Sequence, residues 1–536
     1  MERCEYIVVG AGSAGAALAA RLAGAGKSVL LLEAGGTGRH PWVNIPLGYG
    51  KVFYDARFNW KYTTEPEPEL NGRGIYWPRG KVLGGSSAIN AMVWVRGHPN
   101  DYAEWGAAAP GWGWEDVAPV FRRLEKWTHG ESEHRGGLGP LSVTDMDGWM
   151  HPLTRAYVKA AEEAGIPTNT DYNGAALEGA CFYQISTAGG RRASTAQAYL
   201  LAARKLKNLR IETGAMATRL LMEGKRATGV EYVQRGKTRT AHGAEVILSG
   251  GAINTPQLMM LSGIGPAVHL KEHGIEVVQD SPHVGQNLMD HLGSDHLFRT
   301  NSESLNQVLR PWWGKALAGM EYVLRQSGPL AMSLNQGGGF IRLAEGNGPP
   351  DTQLYFSPLS YSSAPTGKRP LMSPDSFPAV RIGFNPAKPT STGSITLRSA
   401  DPMAAPVMRG GYLATQHDRD LMVRGTREVR RIASMPSLAR VIEAELDPGP
   451  DCQSDDEILD FARRDSWTVF HQCGTCRMGQ DPAQSVVDPK LRVHGIDGLR
   501  VADASIFPTI PTGNTNAPAV MVGERAFDLI TSDRDT

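Results

Sequence analysis

Cysteine is scarce in this chain. Five in 536 residues, an odd number, exclude a disulfide framework and point to a reducing compartment. Long apolar runs are missing too. No window of about 18 apolar residues occurs, so no transmembrane helix is expected. The chain enters a strand at "EYIVVG", from Glu5, which leaves no room ahead of it for a secretory signal. The expectation is a cytoplasmic protein, with peripheral contact on the inner membrane left open. Excess charge is also absent, since lysine plus arginine equals aspartate plus glutamate at 55 each. A neutral chain gives no support for nucleic-acid binding. What is plentiful is glycine, at 62 residues, so many tight turns and close backbone approaches are expected.

The glycines are not scattered. "YIVVGAGSAGAALAARLAGAGKSVLLLEAG" runs from Tyr6 to Gly35. Tyr6–Val9 reads as a buried parallel strand, residues 16–22 as a helix packed tightly on a sheet, and residues 28–32 as a second buried strand ended by Glu33. Gly10, Gly12 and Gly15 form the G-x-G-x-x-G turn between them, with Ser13 and Ala14 inside it. Gly10 permits the turn, Gly12 lets the backbone approach a pyrophosphate, and Gly15 allows close helix–strand packing. The helix N-terminus carries partial positive charge toward the phosphates. Glu33, followed by Ala34, stands where a carboxylate accepts bonds from ribose hydroxyls. This unit predicts a dinucleotide site. Its spacing does not choose between NAD and FAD, but no second glycine fingerprint follows, which suits a flavoenzyme that takes electrons directly from substrate.

A second glycine-rich block, "PRGKVLGGSSAINAMVWVRG" at 78–97, fits neither strand nor helix interior. It reads as backbone laid against a ligand around Gly84, with a helix start capped by Ser87 or Asn90. A third, "ILSGGAINTPQLMMLSGIGP" at 247–266, reads as a strand end at Gly250-Gly251, a helix opened by Thr255-Pro256, and Gly263 closing it.

With these blocks in view, the chain resembles the glucose–methanol–choline (GMC) oxidoreductases, FAD-dependent alcohol oxidases and dehydrogenases. Both family signatures are matched, at 78–97 and 251–265. So are "VGQNLMDH" at 284–291 and the run from Leu499 to Ile530. The likeness covers nearly the whole chain and is nearest the bacterial alcohol, choline and sorbose dehydrogenase branch. It implies that Asn90, Ala91, Met92 and Val93 pass the flavin ring and that Ala217 contacts adenine. It also implies that Asp503 and Ala504 meet the ribityl and pyrophosphate part, with Thr515 nearby. Some members attach FAD covalently through a histidine one residue before the asparagine of this loop. Ile89 stands there, so non-covalent FAD is expected.

The expected fold class is α/β with an α+β substrate domain. A Rossmann-like FAD-binding domain (1–155, 190–295 and 465–536) is interleaved with an antiparallel-sheet domain (156–189 and 296–464). Strand candidates in the latter are 352–358, 379–386 and 393–402, with an amphipathic helix over 420–435. The Pro/Gly/Ser-rich stretches 345–350 and 359–378 read as surface loops, the second long enough to form a lid.

"FHQCGTCRMG" at 470–479 admits three chemistries. A zinc site lacks a second ligand pair, and a redox dithiol lacks its βα turn. Cys473 and Cys476 are therefore read as buried thiols, with no metal expected. The family resemblance makes His471 the base that faces the flavin, with Gln472 in place of the usual proline, and Asn514 its partner. A neutral imidazole takes the alcohol proton and an amide holds the same oxygen without titrating. The resulting expectation is oxidation of a primary alcohol to the aldehyde, with electrons passed to a quinone or dye-type acceptor. An oxygen-using oxidase and a non-redox lyase or decarboxylase of the same family are the alternatives. Trp312, Tyr355 and Phe470 are candidate substrate contacts, alongside Trp313, Phe356 and Tyr361; packing in the core is the competing reading for the aromatics of the middle region. A choline cage, which would need aromatics and an acid, is not evident.

Overall fold

The structure, a computed structural model, describes residues 4–346, 348–361 and 373–533. Part of the expected 359–378 lid lies outside the described residues.

Two seven-stranded sheets organise the molecule. In the first, Cys4–Val9 lies between Val29–Glu33 and Lys237–Leu248, parallel to both in register. Leu209–Thr213 extends one side, and Leu499–Val501 pairs with the end of Lys237–Leu248, again in parallel. The near-continuous apolar character of "YIVV" and "VLLL" follows from burial on both faces. Lys237–Leu248 continues back into an antiparallel meander with Arg226–Gln234 and Ala215–Glu223. The Ser13–Gly24 helix packs on this sheet against the C-terminal helix Asn516–Ser532. Its closeness to the preceding turn depends on Gly15. A Cβ there would stand 2.0 Å from the Gly10 carbonyl oxygen.

The second sheet is antiparallel throughout. Its order is Ile442–Asp447, Leu292–Thr300, Ala379–Pro386, Thr352–Ser357, Gly337–Ile341, Gly179–Phe182, with Trp467–Thr468 pairing at the start of Leu292–Thr300. Two of the three expected strands are here. The third, 393–402, is not: only Ser394–Thr396 is extended, and it pairs with Val407–Arg409 in a separate ribbon. The amphipathic helix spans Gln416–Ala433, starting earlier than expected because the Thr415 hydroxyl caps Asp418 N–H at 3.4 Å.

Two other boundaries differ. The third glycine block opens its helix at Gly251, not at Thr255-Pro256. Thr255 Oγ1 instead accepts from Gly250 N–H at 3.0 Å. No helix follows Ser87 or Asn90, only a single 3₁₀ turn, Gly85–Ala88. The Ser87 hydroxyl donates to the Gly84 carbonyl at 2.6 Å and meets Thr195 Oγ1 at 3.0 Å. The side chain that would cap a helix holds an irregular loop in place.

Candidate active site

One cavity, of roughly 2560 Å³ with its mouth included, runs along the first sheet and ends against the second. The carboxyl edge of the first sheet supplies one wall. Gly10, Gly12, Ser13 and Ala14 follow its first strand, and Glu33 and Ala34 follow its second. The two glycine blocks meet here. Ala11 carbonyl accepts from Gly84 N–H at 2.8 Å, and a Cβ on Gly85, whose φ is +52°, would stand 2.6 Å from Gly12 Cα. Glu33 is buried, and its two oxygens accept from Ala11 N–H (3.0 Å) and Gly35 N–H (2.8 Å). Burial pushes its carboxyl up to about 7, against those donors. Each oxygen keeps a lone pair for a hydroxyl. Ala217 lines the cavity, as do Asp503, Ala504 and Thr515. Asp503 accepts from Gly251 N–H, Thr255 Oγ1 and Ser505 N–H at 2.6–2.8 Å, which leaves one acceptor site on Oδ1. Gly15, Gly84 and Ser87 do not line the cavity; they shape the loops that do.

Asn90, Ala91, Met92 and Val93 continue the wall. Met92 has φ +65°, a left-handed conformation uncommon for such a side chain. Asn90 Oδ1 accepts from Met92 N–H at 3.1 Å and from the buried Arg192 Nη1 at 2.7 Å, which fixes the loop.

The far end holds a histidine pair. Chain 289–291 runs antiparallel to 469–473, through Met289 N–H to Cys473 carbonyl (3.0 Å) and Val469 N–H to His291 carbonyl (3.1 Å). This pairing sets His291 Nδ1 2.8 Å from His471 Nδ1, with the rings nearly perpendicular. His291 Nε2 lies 3.0 Å from the Ala387 carbonyl, which only accepts, so His291 is protonated at Nε2. Burial depresses His291 to about 3, and burial first, then His291 and Arg79, hold His471 well below the usual imidazole range. With both rings neutral, His291 Nδ1 is an acceptor and His471 Nδ1 carries the proton. His471 Nε2 is therefore unprotonated, and it accepts from Asn514 Nδ2 at 2.9 Å. Asn514 Oδ1 in turn accepts from Gln353 Nε2 at 3.1 Å.

Asp290 anchors this end. Its carboxylate accepts from the backbone N–H of His291 (2.9 Å) and His471 (2.8 Å), from Gln472 Nε2 (2.7 Å), and from the hydroxyls of Tyr412 and Thr468. Gln472, where the family has proline, thus ties the loop through its side chain. Phe470, just before the base, has φ +70°, and its carbonyl accepts from Arg79. Cys473 and Cys476 are buried free thiols; Cys476 Sγ lies 3.8 Å from Met259 Sδ. Among the described residues no cluster of three or more His, Cys, Asp or Glu could hold a metal ion.

The cavity brings together His471, Asn514, Tyr355 and Phe470 from the sequence-derived set, and Tyr361 with them. Phe356 is wholly buried in the second sheet. Trp312 is a correction. It is 81% exposed and away from the cavity, because the helix Trp312–Arg325 turns its Gly314, Ala318 and Tyr322 inward and Trp312 lies off that stripe. Residues that the sequence reading missed are His291, Asp290, Gln353, Asp295 and Arg381. Asp295 and Arg381 both line the cavity, paired at 3.5 Å, and the Arg381 guanidinium lies 4.7 Å from the Tyr361 ring centre. The His291 signal was present in "VGQNLMDH". So was that for Asp290, whereas Gln353, Asp295 and Arg381 stand on strands whose neighbours are set only by sheet pairing.

A glycine-lined dinucleotide cradle that ends at a neutral, hydrogen-bonded imidazole defines an FAD-dependent oxidoreductase acting on CH–OH donors. Comparison with known proteins gives the family. The sequence profile described as GMC oxidoreductase matches residues 4–293, and a second of the same description matches 389–523. The chain belongs to the GMC oxidoreductase family. It is 41% identical to an alcohol dehydrogenase [acceptor] of Pseudomonas putida, covering 98% of this chain and 95% of that one. It is 43% identical to an oxygen-dependent choline dehydrogenase of Rhizobium etli over the same shares. Among solved structures, it is similar to pyridoxine 4-oxidase from Mesorbium loti, with TM-score 0.89, 31% identity and 99% of each chain covered. It is also similar to a formate oxidase, with TM-score 0.92, 28% identity, and 100% and 99% of the chains covered.

Proposed function

We propose that this protein oxidises a non-cationic primary alcohol to the aldehyde, with His471 Nε2 as the base. The observation that carries the reading is the unprotonated Nε2, 2.9 Å from Asn514 Nδ2 at the end of the cavity. A substrate hydroxyl that opens this bond gives its proton to Nε2 and accepts from the Asn514 amide, which steadies the oxygen as it becomes alkoxide-like. General-base help of this kind contributes roughly 10²–10⁴-fold. Holding the oxygen in one place adds an orientational gain. Bound FAD supplies the acceptor for the hydride that leaves carbon.

Gly10, Gly12, Ser13, Ala14 and Gly15 would hold its pyrophosphate, Glu33 and Ala34 its ribose, and Ala217 its adenine. Asn90–Val93, Asp503, Ala504 and Thr515 would border the rest, with Gly84 and Ser87 shaping the loop. Ile89 lines the cavity with a side chain that forms no covalent link, which supports dissociable FAD. The matching division assigns 1–155, 190–295 and 465–536 to FAD and 156–189 and 296–464 to substrate. All strands of the first sheet fall in the former. Leu292–Thr300 crosses one boundary and Trp467–Thr468 lies beyond another.

The preference for an uncharged alcohol rests on Arg381. A quaternary ammonium would have to displace a guanidinium already seated by Tyr361 and paired with Asp295, an acid of the cavity wall. Tyr355 and Phe470 give the rest of that wall its aromatic character. Electrons then pass to a quinone or dye-type acceptor; the Pseudomonas putida relative is named as a dehydrogenase with an acceptor.

Two measurements test this. Anaerobic addition of primary alcohols should bleach the flavin band, and choline should do so poorly. A dye-linked screen should exceed peroxide production in air; peroxide matching substrate turnover would make the protein an oxidase. No bleaching with any alcohol would overturn the proposal.

A further inference from the structure

The Trp312–Arg325 helix is unusual for what it shows to solvent. At 100° per residue, Trp312, Trp313, Leu317, Met320, Val323 and Leu324 fall on one arc, opposite the inward stripe of Gly314, Ala318 and Tyr322. All six are exposed, Val323 and Leu324 at 74% each. No charged residue interrupts the arc. Lys315 and Glu321 stand about 60° and 40° outside its two edges, and Arg325, at the helix end, is exposed on the other side. Isolated exposed apolar side chains need no explanation, but six contiguous ones make a patch of several hundred Å², the size that marks an interaction surface.

The rim identifies the partner. Lys315 beside the arc and Arg325 at the helix end are both exposed, and Arg310 and Lys51 on neighbouring segments meet the Pro374 carbonyl (2.6 Å) and the Trp42 ring (4.0 Å to its centre). The acid of the rim, Glu321, is turned back onto the Ser327 hydroxyl at 3.1 Å. An apolar helix face with tryptophans at one end and a cationic border complements a bilayer surface with anionic headgroups. A second copy of the same face would set this border against itself.

The helix also stands over a smaller cavity of about 850 Å³, mouth included. It is lined by Leu309 and Lys315 from this side and by Tyr49 and Leu334, which also line the main cavity. Molecules dissolved in a membrane under this helix would therefore meet an apolar recess one side chain away from the main cavity.

We propose that the outward face of the Trp312–Arg325 helix docks the protein onto an anionic lipid bilayer. The full-length, flavin-loaded protein is tested by flotation with vesicles of one part phosphatidylglycerol to two parts phosphatidylcholine. The wild type should float with them and bind vesicles of phosphatidylcholine alone more weakly. Met320→Glu with Leu324→Glu should weaken binding at least about tenfold. Both side chains are exposed, so flavin absorbance and dye-linked turnover should stay at the wild-type level. The assay uses no substrate, so its result is separable from the alcohol assignment. Wild-type protein that stays with the aqueous fraction, or a double variant that floats equally well, overturns the proposal. So does a wild type that ignores vesicles but forms a dimer that the double variant dissolves, because the occupant would then be a second copy.

Discussion

His291 and His471 share a single proton between their Nδ1 atoms, 2.8 Å apart, and the Ala387 carbonyl decides which ring owns it. By engaging His291 Nε2–H, that carbonyl leaves His291 Nδ1 as an acceptor. His471 then keeps its proton on the inner nitrogen and turns a bare one toward Asn514. A backbone oxygen two steps from the reacting atoms thus selects the tautomer of the base.

Removing the base should stop chemistry without emptying the cradle. His471→Ala is expected to retain FAD and lose at least about two orders of magnitude in alcohol oxidation. Rapid-mixing reduction of the flavin reads it, and wild-type rates in the variant would refute the assignment.

Replacing the tautomer-setting ring is a subtler change. His291→Phe leaves His471 Nδ1–H without its acceptor, so the ring can rotate or carry its proton on Nε2. A fall of about 10–100-fold in kcat with little change in KM is expected. His291 also helps depress His471, after burial. The acid limb of the pH–rate profile should therefore move to higher pH, which a simple packing defect would not do.

Asn514→Asp exchanges a donor for a carboxylate beside a forming alkoxide. The variant loses the bond to His471 Nε2 and adds repulsion, so reduction slows above pH 6. Unchanged stopped-flow traces there would count against Asn514 as the partner.

Acid should destabilise the fold through buried neutral histidines. His296 is wholly buried between Phe384 and Phe461, and burial depresses it to about 3. Between that value and about 6.5 the unfolded chain binds the extra proton and the folded one does not, so stability falls as pH drops through this window and is unaffected above it. At pH 5 the loss is about 2 kcal/mol for this one ring. His296→Phe should narrow the gap in thermal midpoint between pH 8 and pH 5. An equal gap in both proteins would show that other groups set the acid limit.

The legibility of the chain follows from how local each feature is. Gly10, Gly12, Gly15 and Glu33 sit within one strand–turn–helix–strand unit, so spacing alone places them, and both flanking strands appear within two residues of their expected ends. His471 and Asn514 are 43 residues apart and were reached through resemblance, not spacing. Gln353, Asp295 and Arg381 come from three neighbouring strands of the antiparallel sheet. Their convergence depends on pairing that no window of sequence contains. Trp312 was misassigned because an aromatic pair suggests a pocket, whereas the helical period around it points outward.

The two-histidine chain has a dead end. Ala387 oxygen cannot take up a proton, so nothing that arrives at His471 Nε2 can be relayed onward through His291. The base must discharge by the route along which it was loaded, past Asn514 and out through the mouth of the cavity. Resetting the enzyme between turnovers is therefore tied to wetting of that mouth, and a bulky product that lingers there would stall the next cycle even with an electron acceptor in excess.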